Sequence, residues 1–291
     1  MLAVVGTIPD EELPLVAGPV TVDGRFLVIQ EHKVLISRGT SAVLAAAATC
    51  LEVLGKPAPF AFLVGDIGRG QGSSRLYEYL TLNLGRYQFS TLTFHYILPI
   101  VDWHNRVLFA VQEMAERPRL IADAGFMYVA KMSGQAPEYD LFTPDAGELA
   151  FLADEEAPHP FYTRGFILHE DNQVPDLIAR AYAYENAARQ LLVKGQKDYV
   201  ATKEGTVAII AAPMTEALEA IGGTGDSLTG IVSALIAAGF DIVPAAILAA
   251  RVNRVAGYLA HPTPATNLQE IVNQIPAALK LVLKEHHGKG K

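Results

Sequence analysis

Short apolar runs alternate with amphipathic segments along almost the whole chain. The runs at residues 3–6, 60–64, 91–97, 119–122, 141–143, 191–193, 199–201 and 207–210 predict strands. Between them the spacing predicts helices over 40–54, 73–84, 105–116, 147–153, 176–190, 228–238, 244–259 and 268–283. Gly55 and Pro57 close the first of these, and Pro244 stands in the first turn of the penultimate one. Asp23-Gly24 between β-prone residues 21–29 predicts a hairpin turn, with 32–37 as a further strand. Apolar strands alternating with helices imply an α/β domain with a mostly parallel sheet covered on both faces. Ligands of such sheets bind at the carboxyl ends of the strands, where the glycine-rich turns of this chain fall.

Composition narrows the function class. The 291 residues suffice for one large domain or two small ones, and no repeat, low-complexity block or long linker divides them, so a single domain is expected. A net charge of −8 without a Lys/Arg run argues against nucleic acid. No targeting segment is evident, and the most apolar stretches are broken by Gly239, Asp241, Pro244 and Arg251, short of the roughly 20 residues that cross a bilayer. The single cysteine, Cys50, excludes an intramolecular disulfide and lies in an apolar Ala-rich run. These features fit a soluble cytoplasmic enzyme, with residues 284–291 as a flexible tail.

The most informative motif is Gly222-Gly223-Thr224-Gly225-Asp226, which runs into an apolar helix. Glycines let several N–H groups point into one concavity, and a helix start adds unpaired amides and a positive dipole end. Such a site suits a phosphate. A carboxylate there would repel the anion, so Asp226 makes sense as the group that takes a proton from a hydroxyl attacking the bound phosphoryl group. A plain helix cap is the competing reading.

The order of elements resembles the ribokinase-like superfamily of small-molecule kinases, whose fold is a three-layer sandwich with helices on both faces of the sheet. Residues 222–226 look like its anion hole and catalytic aspartate. Arg38-Gly39-Thr40-Ser41 and Leu63-Val64-Gly65-Asp66-Ile67-Gly68 resemble its two substrate-side loops, and residues 15–37 lie where many sugar kinases carry a β lid. In the C-terminal half the closer match is the ATP/ADP-dependent NAD(P)H-hydrate dehydratases. Thr143-Pro144-Asp145-Ala146-Gly147-Glu148 resembles their Thr-Pro-His-x-Gly-Glu segment, and Lys194-Gly195 their Lys-Gly turn. Three departures fall on the substrate half. Asp145 replaces the histidine, the second aspartate expected near Asp123 is missing, and Phe94-His95-Tyr96-Ile97-Leu98-Pro99 stands where Gly-Pro-Gly-Leu-Gly is expected.

The resemblance implies ATP or ADP with Mg²⁺, phosphoryl transfer to a small polar substrate, or else hydrate dehydration, or a degenerate nucleotide binder. It assigns phosphates to Gly222, Gly223, Thr224, Gly225 and Lys194, and nucleotide to Gly195 and Asn253. Substrate falls to Gly39, Thr40, Gly65, Asp66, Gly68, Arg75 and Asp123. Asp145 and Glu148, three apart at a strand-to-helix junction, could aim both carboxylates at a metal, and oxygen ligands suit Mg²⁺. The histidines show no metal-ligand spacing, so zinc is not expected. The expected partners are a nucleotide and a small molecule, with homo-oligomerisation left open, and neither nucleic acid nor membrane.

Overall fold

A computed structural model describes residues 1–159 and 174–288. Six parallel strands form the centre of one sheet: β1 (Leu2–Ile8), β5 (Phe60–Gly65), β6 (Thr91–Phe94), β7 (Arg119–Ala122), β8 (Leu141–Phe142) and β9 (Gln190–Val193). Antiparallel strands extend both sides. They are β10 (Asp198–Thr202) and β11 (Gly205–Ile210) beyond β9, and β2 (Val16–Asp23), β3 (Phe26–Ile29) and β4 (His32–Leu35) beyond β5. The full order is β11-β10-β9-β8-β7-β6-β1-β5-β2-β3-β4. The Asp23-Gly24 turn forms as expected, Asp23 pairing with Phe26 and Gly24 at φ 58°.

Alternate residues of each central strand enter different cores, which is why the strands read as unbroken apolar runs. Leu2 and Val4, Ala61 and Leu63, and Leu192 face one side. Ala3 and Val5, Phe62 and Val64, and Leu191 and Val193 face the other. The first side is covered by α1 (Thr40–Val53), α7 (Thr224–Ala237), α8 (Ile242–Leu259), α9 (Leu268–Val272) and α10 (Ile275–Gly288). The second is covered by α2 (Gln71–Asn83), α3 (Val101–Gln112), α4 (Ala124–Met132), α5 (Ala146–Leu152) and α6 (Val174–Ala183).

The tightest helix contact positions the site. A Cβ on Gly230 would lie 2.3 Å from the Val43 carbonyl oxygen and 3.0 Å from the Ala46 methyl. The alanines of α1 and this glycine let α1 and α7 approach until their N-termini sit side by side.

The structure redraws several expected boundaries. Helix α7 begins at Thr224 rather than 228, so Thr224, Gly225 and Asp226 form its first turn. Helix α4 has no counterpart in the expected pattern, α6 ends at Ala183, and the expected 268–283 helix is two helices. Helix α10 continues to Gly288, into the segment expected to be a tail, and Glu285 pairs there with Arg251. Helix α8 is long and apolar enough to cross a membrane by length and composition alone, but half of it is buried inside the protein. Cys50 is buried, and burial pushes its thiol up to about 12.

Candidate functional site

The residue that follows each of four adjacent strands is polar: His95 after β6, Asp123 after β7, Thr143 after β8 and Lys194 after β9. Each preceding strand residue (Phe94, Ala122, Phe142, Val193) packs into the α2–α6 core. Strand alternation therefore turns the four polar side chains toward α1 and α7. There they meet Asp226 and Thr229 from α7 and Thr40 from α1.

Asp123 is the hub. It is 1 % exposed, and Lys194 Nζ donates to both of its oxygens, at 2.9 and 2.8 Å. Thr229 Oγ1 donates to Asp123 Oδ2 at 2.6 Å, and the Ala124 N–H, at the start of α4, donates to Oδ1 at 2.9 Å. Thr143 Oγ1 lies 3.0 Å from Thr229 Oγ1. Burial alone would raise the Asp123 carboxyl, but Lys194 and His95 hold it well below the carboxylate range. Burial likewise opposes the Lys194 charge, yet Asp123, Glu148 and Asp226 raise the ammonium above its ordinary value.

Asp226 is held from two sides. The Gly39 N–H donates to Oδ2 at 2.6 Å, and His95 Nε2 lies 3.1 Å from Oδ1. Burial pushes this carboxyl up, while His95 and then Lys194 bring it below its ordinary value. A carboxylate has about four acceptor positions, so capacity for a further donor remains. Gly39, at φ 73°, caps α1.

The glycine-rich turn leads into α7 through Gly223, at φ 98°. A Cβ there would lie 2.7 Å from the Ser37 carbonyl oxygen, so only glycine fits where the two helix starts meet. The first helical bond of α7 runs from Ser227 N to Gly223 O, which leaves the Thr224, Gly225 and Asp226 amides without helical partners. Lys194 lies alongside Gly225: a Cβ on that glycine would be 3.8 Å from Nζ. Asn253 donates to the Thr224 carbonyl at 3.1 Å and accepts from Ser227 Oγ at 2.7 Å. Below the Lys194-Gly195 turn, Arg254 donates to Asp198 at 2.7 Å and to the Gly195 and Gln196 carbonyls.

A cavity of about 710 Å³ opens over this floor. Its lining includes Thr224, Gly225, Asp226, Lys194, Gly195, Asn253, Asp123, Asp145 and Glu148. These expected residues are thus brought to one place, although they span more than a hundred positions of sequence. Asp145 and Glu148 form a capping box at the start of α5: Glu148 N donates to Asp145 Oδ1 at 2.7 Å and Asp145 N to Glu148 Oε2 at 2.8 Å. Burial, with Asp123 and Asp145 adding to it and Lys194 opposing it, pushes the Glu148 carboxyl up to about 8. Crowded carboxyl oxygens of this kind are a donor set that fits Mg²⁺.

The remaining expected residues lie elsewhere. Gly222 and Gly223 form the turn behind the amides, and Gly39 and Thr40 lie behind Asp226 and under His95 rather than on the cavity wall. Asp66 spends its carboxylate within its own loop, accepting from the amides of Gly68, Arg69, Gly70 and Ser73 and from Ser73 Oγ. Gly65 is fixed by a close backbone approach, since a Cβ would lie 1.8 Å from the Asp10 carbonyl oxygen. Arg75 is exposed on α2. None of Gly65, Asp66, Gly68 or Arg75 lines the cavity. The sequence reading missed His95, Tyr96 and Thr229, and the strand-end parity above is the signal that finds His95.

Comparison with known proteins agrees with this architecture. An uncharacterized Methanocaldococcus jannaschii protein is 42 % identical over 221 residues, which is 76 % of this chain and 90 % of that protein. Among solved structures, a Bacillus subtilis ADP/ATP-dependent NAD(P)H-hydrate dehydratase co-crystallized with ATP/Mg²⁺ superposes with a TM-score of 0.59 at 15 % identity, covering 97 % of this chain and 89 % of that one. Escherichia coli phosphofructokinase-2 in complex with fructose-6-phosphate gives 0.55 at 14 % identity, covering 96 % and 99 %. The fold is thus ribokinase-like. Residues 100–277 match the carbohydrate-kinase family model described as NAD(P)H-hydrate dehydratase. With more than half of its length matched, the chain belongs to that carbohydrate-kinase family of nucleotide-binding enzymes.

Proposed function

We propose that the cavity binds ATP or ADP with Mg²⁺ and that Asp226 drives phosphoryl transfer to a hydroxyl of a small polar substrate, sugar-like or nucleoside-like. One observation carries this reading. Asp226 sits in the first turn of α7 among three amides free of helical partners, lines the cavity, and has its carboxylate fixed by Gly39. The amides of Thr224–Asp226 and the Lys194 ammonium suit the transferring phosphoryl group, while Asp226 faces the group that attacks it.

A bound nucleotide would supply the phosphoryl group, and Mg²⁺ on Glu148 and Asp145 would neutralise phosphate charge. Asp226 accepts the proton of the acceptor hydroxyl as that oxygen bonds to phosphorus. The bond from phosphorus to the bridging oxygen breaks, and its electron pair leaves with the shortened nucleotide. Gly195 and Asn253 hold the turn and helix that face the nucleotide, and Asp123 orients Lys194. Asp66 and its loop shape the substrate side at a distance from the reacting atoms.

Asp226→Asn keeps size and hydrogen bonding but removes the base, and general-base loss costs about 10²- to 10⁴-fold in rate. Turnover should fall by that factor while calorimetric nucleotide binding is kept or tightened. Near wild-type turnover would reject the assignment.

The family description favours a second reading, dehydration of a hydrated nicotinamide cofactor. Its first step is the same. The phosphorylated hydroxyl then leaves as phosphate with the electron pair of the broken C–O bond, and the neighbouring carbon loses a proton. Product analysis separates the two: phosphosubstrate accumulates in one, reduced cofactor and free phosphate in the other.

A further inference from the structure

Among the described residues, His95 is the one fully buried ionisable group hydrogen-bonded to Asp226, and the proposed reaction above gives it no step. It is 0 % exposed. Its Nε2 lies 3.1 Å from Asp226 Oδ1 and 3.6 Å from Asp123 Oδ2, so one N–H stands between two carboxylates. Its Nδ1 lies 3.2 Å from Thr40 Oγ1. Thr40 is placed in turn by Gly6, where a Cβ would lie 2.4 Å from that hydroxyl. The His95 backbone N–H donates to the Val5 carbonyl at 2.9 Å, and the Tyr96 ring meets the imidazole edge-on at 4.5 Å. Every face of the ring is therefore occupied, and it has little freedom to turn.

This chain places the ring where the resemblance anticipated a glycine-rich segment, and next to the position of the missing second aspartate. We propose that His95 is the positioning residue of the site: its Nε2–H, shared between Asp226 and Asp123, aims the Asp226 carboxylate and keeps it charged until the acceptor proton arrives. When Asp226 takes that proton, the imidazolium keeps Asp123 as its remaining carboxylate partner. The inference rests on the assignment of Asp226 as base.

The charged and titratable groups facing the ring are Asp123 after β7, Asp226 on α7 and the Tyr96 phenol beside it, with Lys194 behind Asp123. Burial opposes the imidazolium, but the two carboxylates outweigh it and move the ring up to about 9.

Two measurements test the proposal. Imidazole ¹⁵N resonances of the full-length protein should show both ring nitrogens of His95 protonated at pH 7, with a titration midpoint that falls in Asp226→Asn. A neutral ring at pH 7, or a midpoint unmoved in Asp226→Asn, overturns it. In parallel, ATP hydrolysis with Mg²⁺ and turnover of an acceptor panel are compared for His95→Gln, whose amide can still donate to Asp226 but carries no charge. Its kcat should fall on the order of 10²-fold, with KM for ATP within about threefold. Its rate should also lack the decline expected of the wild type as pH rises through about 9. If Asp226→Asn lowers kcat and His95→Gln does not, the positioning role fails and the base assignment survives. If Asp226→Asn leaves kcat unchanged, the base assignment fails, and the resonance midpoint alone decides whether His95 is tied to Asp226.

Discussion

Replacing Lys194 by methionine strips Asp123 of its main counter-charge while keeping the bulk of the side chain. The ammonium donates to both carboxylate oxygens at 2.8–2.9 Å, and the two side chains are 11 % and 1 % exposed. Breaking such a buried pair costs about 3–5 kcal/mol, because the survivor is left charged and unpaired. Asp123 keeps the Thr229 hydroxyl, the Ala124 amide and His95, so the lower end, about 3 kcal/mol, is expected. For 291 residues the unfolding entropy is about 0.6 kcal/mol/K, so the Tm should drop by about 5 °C. Adding Asp123→Asn removes the orphaned charge, and the double variant should regain most of the loss, giving a coupling of at least 1 kcal/mol in the cycle. Urea titrations and thermal melts of the four proteins measure this, with nucleotide calorimetry alongside to read the loss of the Lys194 charge from the proposed phosphate site. A Lys194→Met protein melting within 1 °C of wild type, or strictly additive single variants, would refute the reasoning.

Three further outcomes are expected. Glu148→Gln should shift the Mg²⁺ titration of turnover to higher metal while leaving the melting temperature close to wild type, and an unchanged titration would reject the metal role. Gly230→Ala should destabilise by about 1–3 kcal/mol through overpacking against Val43, despite the better helix propensity of alanine, and weaken turnover by pushing α1 from α7; a stabilised variant would contradict the close approach. Asp66→Ala should cost about 1–3 kcal/mol in stability and little in nucleotide affinity. Burial pushes the Asp66 carboxyl up, but its backbone donors outweigh that and hold it below its ordinary value. Its contribution is therefore complete above the ordinary carboxyl range and is lost as pH falls through the lowered value, which urea titrations from pH 7 down to pH 3 would follow.

The strand centres were legible because burial on both faces leaves little in them but apolar residues. The edges of helices were less so. Helix α7 starts four residues early because Thr224, Gly225 and Asp226 read as turn formers, yet the packing of Gly223 against Ser37 fixes them as a first helical turn. Helix α4 went unseen because Phe126–Met132 is a short apolar run that suits strand or helix, and Gly125 obscures its start. The glycine-rich turn and the free amides that open α7 were readable as a local motif. The clamp on Asp226 was not, since His95 lies 131 positions from Asp226 and 55 from Thr40. Only the parity of the strand before it points to the site. Asp66 was legible as a polar residue in a glycine-rich loop, but not that its carboxylate accepts from the amides of that same loop.

The polar residues that end β6, β7, β8 and β9 make the site a cross-section of the sheet rather than a collection of loops. Neighbouring strands lie about 4.8 Å apart, so the spacing of His95, Asp123, Thr143 and Lys194 is inherited from backbone pairing. Loop lengths can drift without disturbing it, as insertions after these residues leave the row intact. A single deletion inside β6 or β7 would do the opposite. It would turn the terminal polar side chain toward the α2–α6 core and bring an apolar one beneath α7. Such a chain would keep its strands and its helices and lose its chemistry, so in this architecture the reading frame of the pleat is itself a functional element.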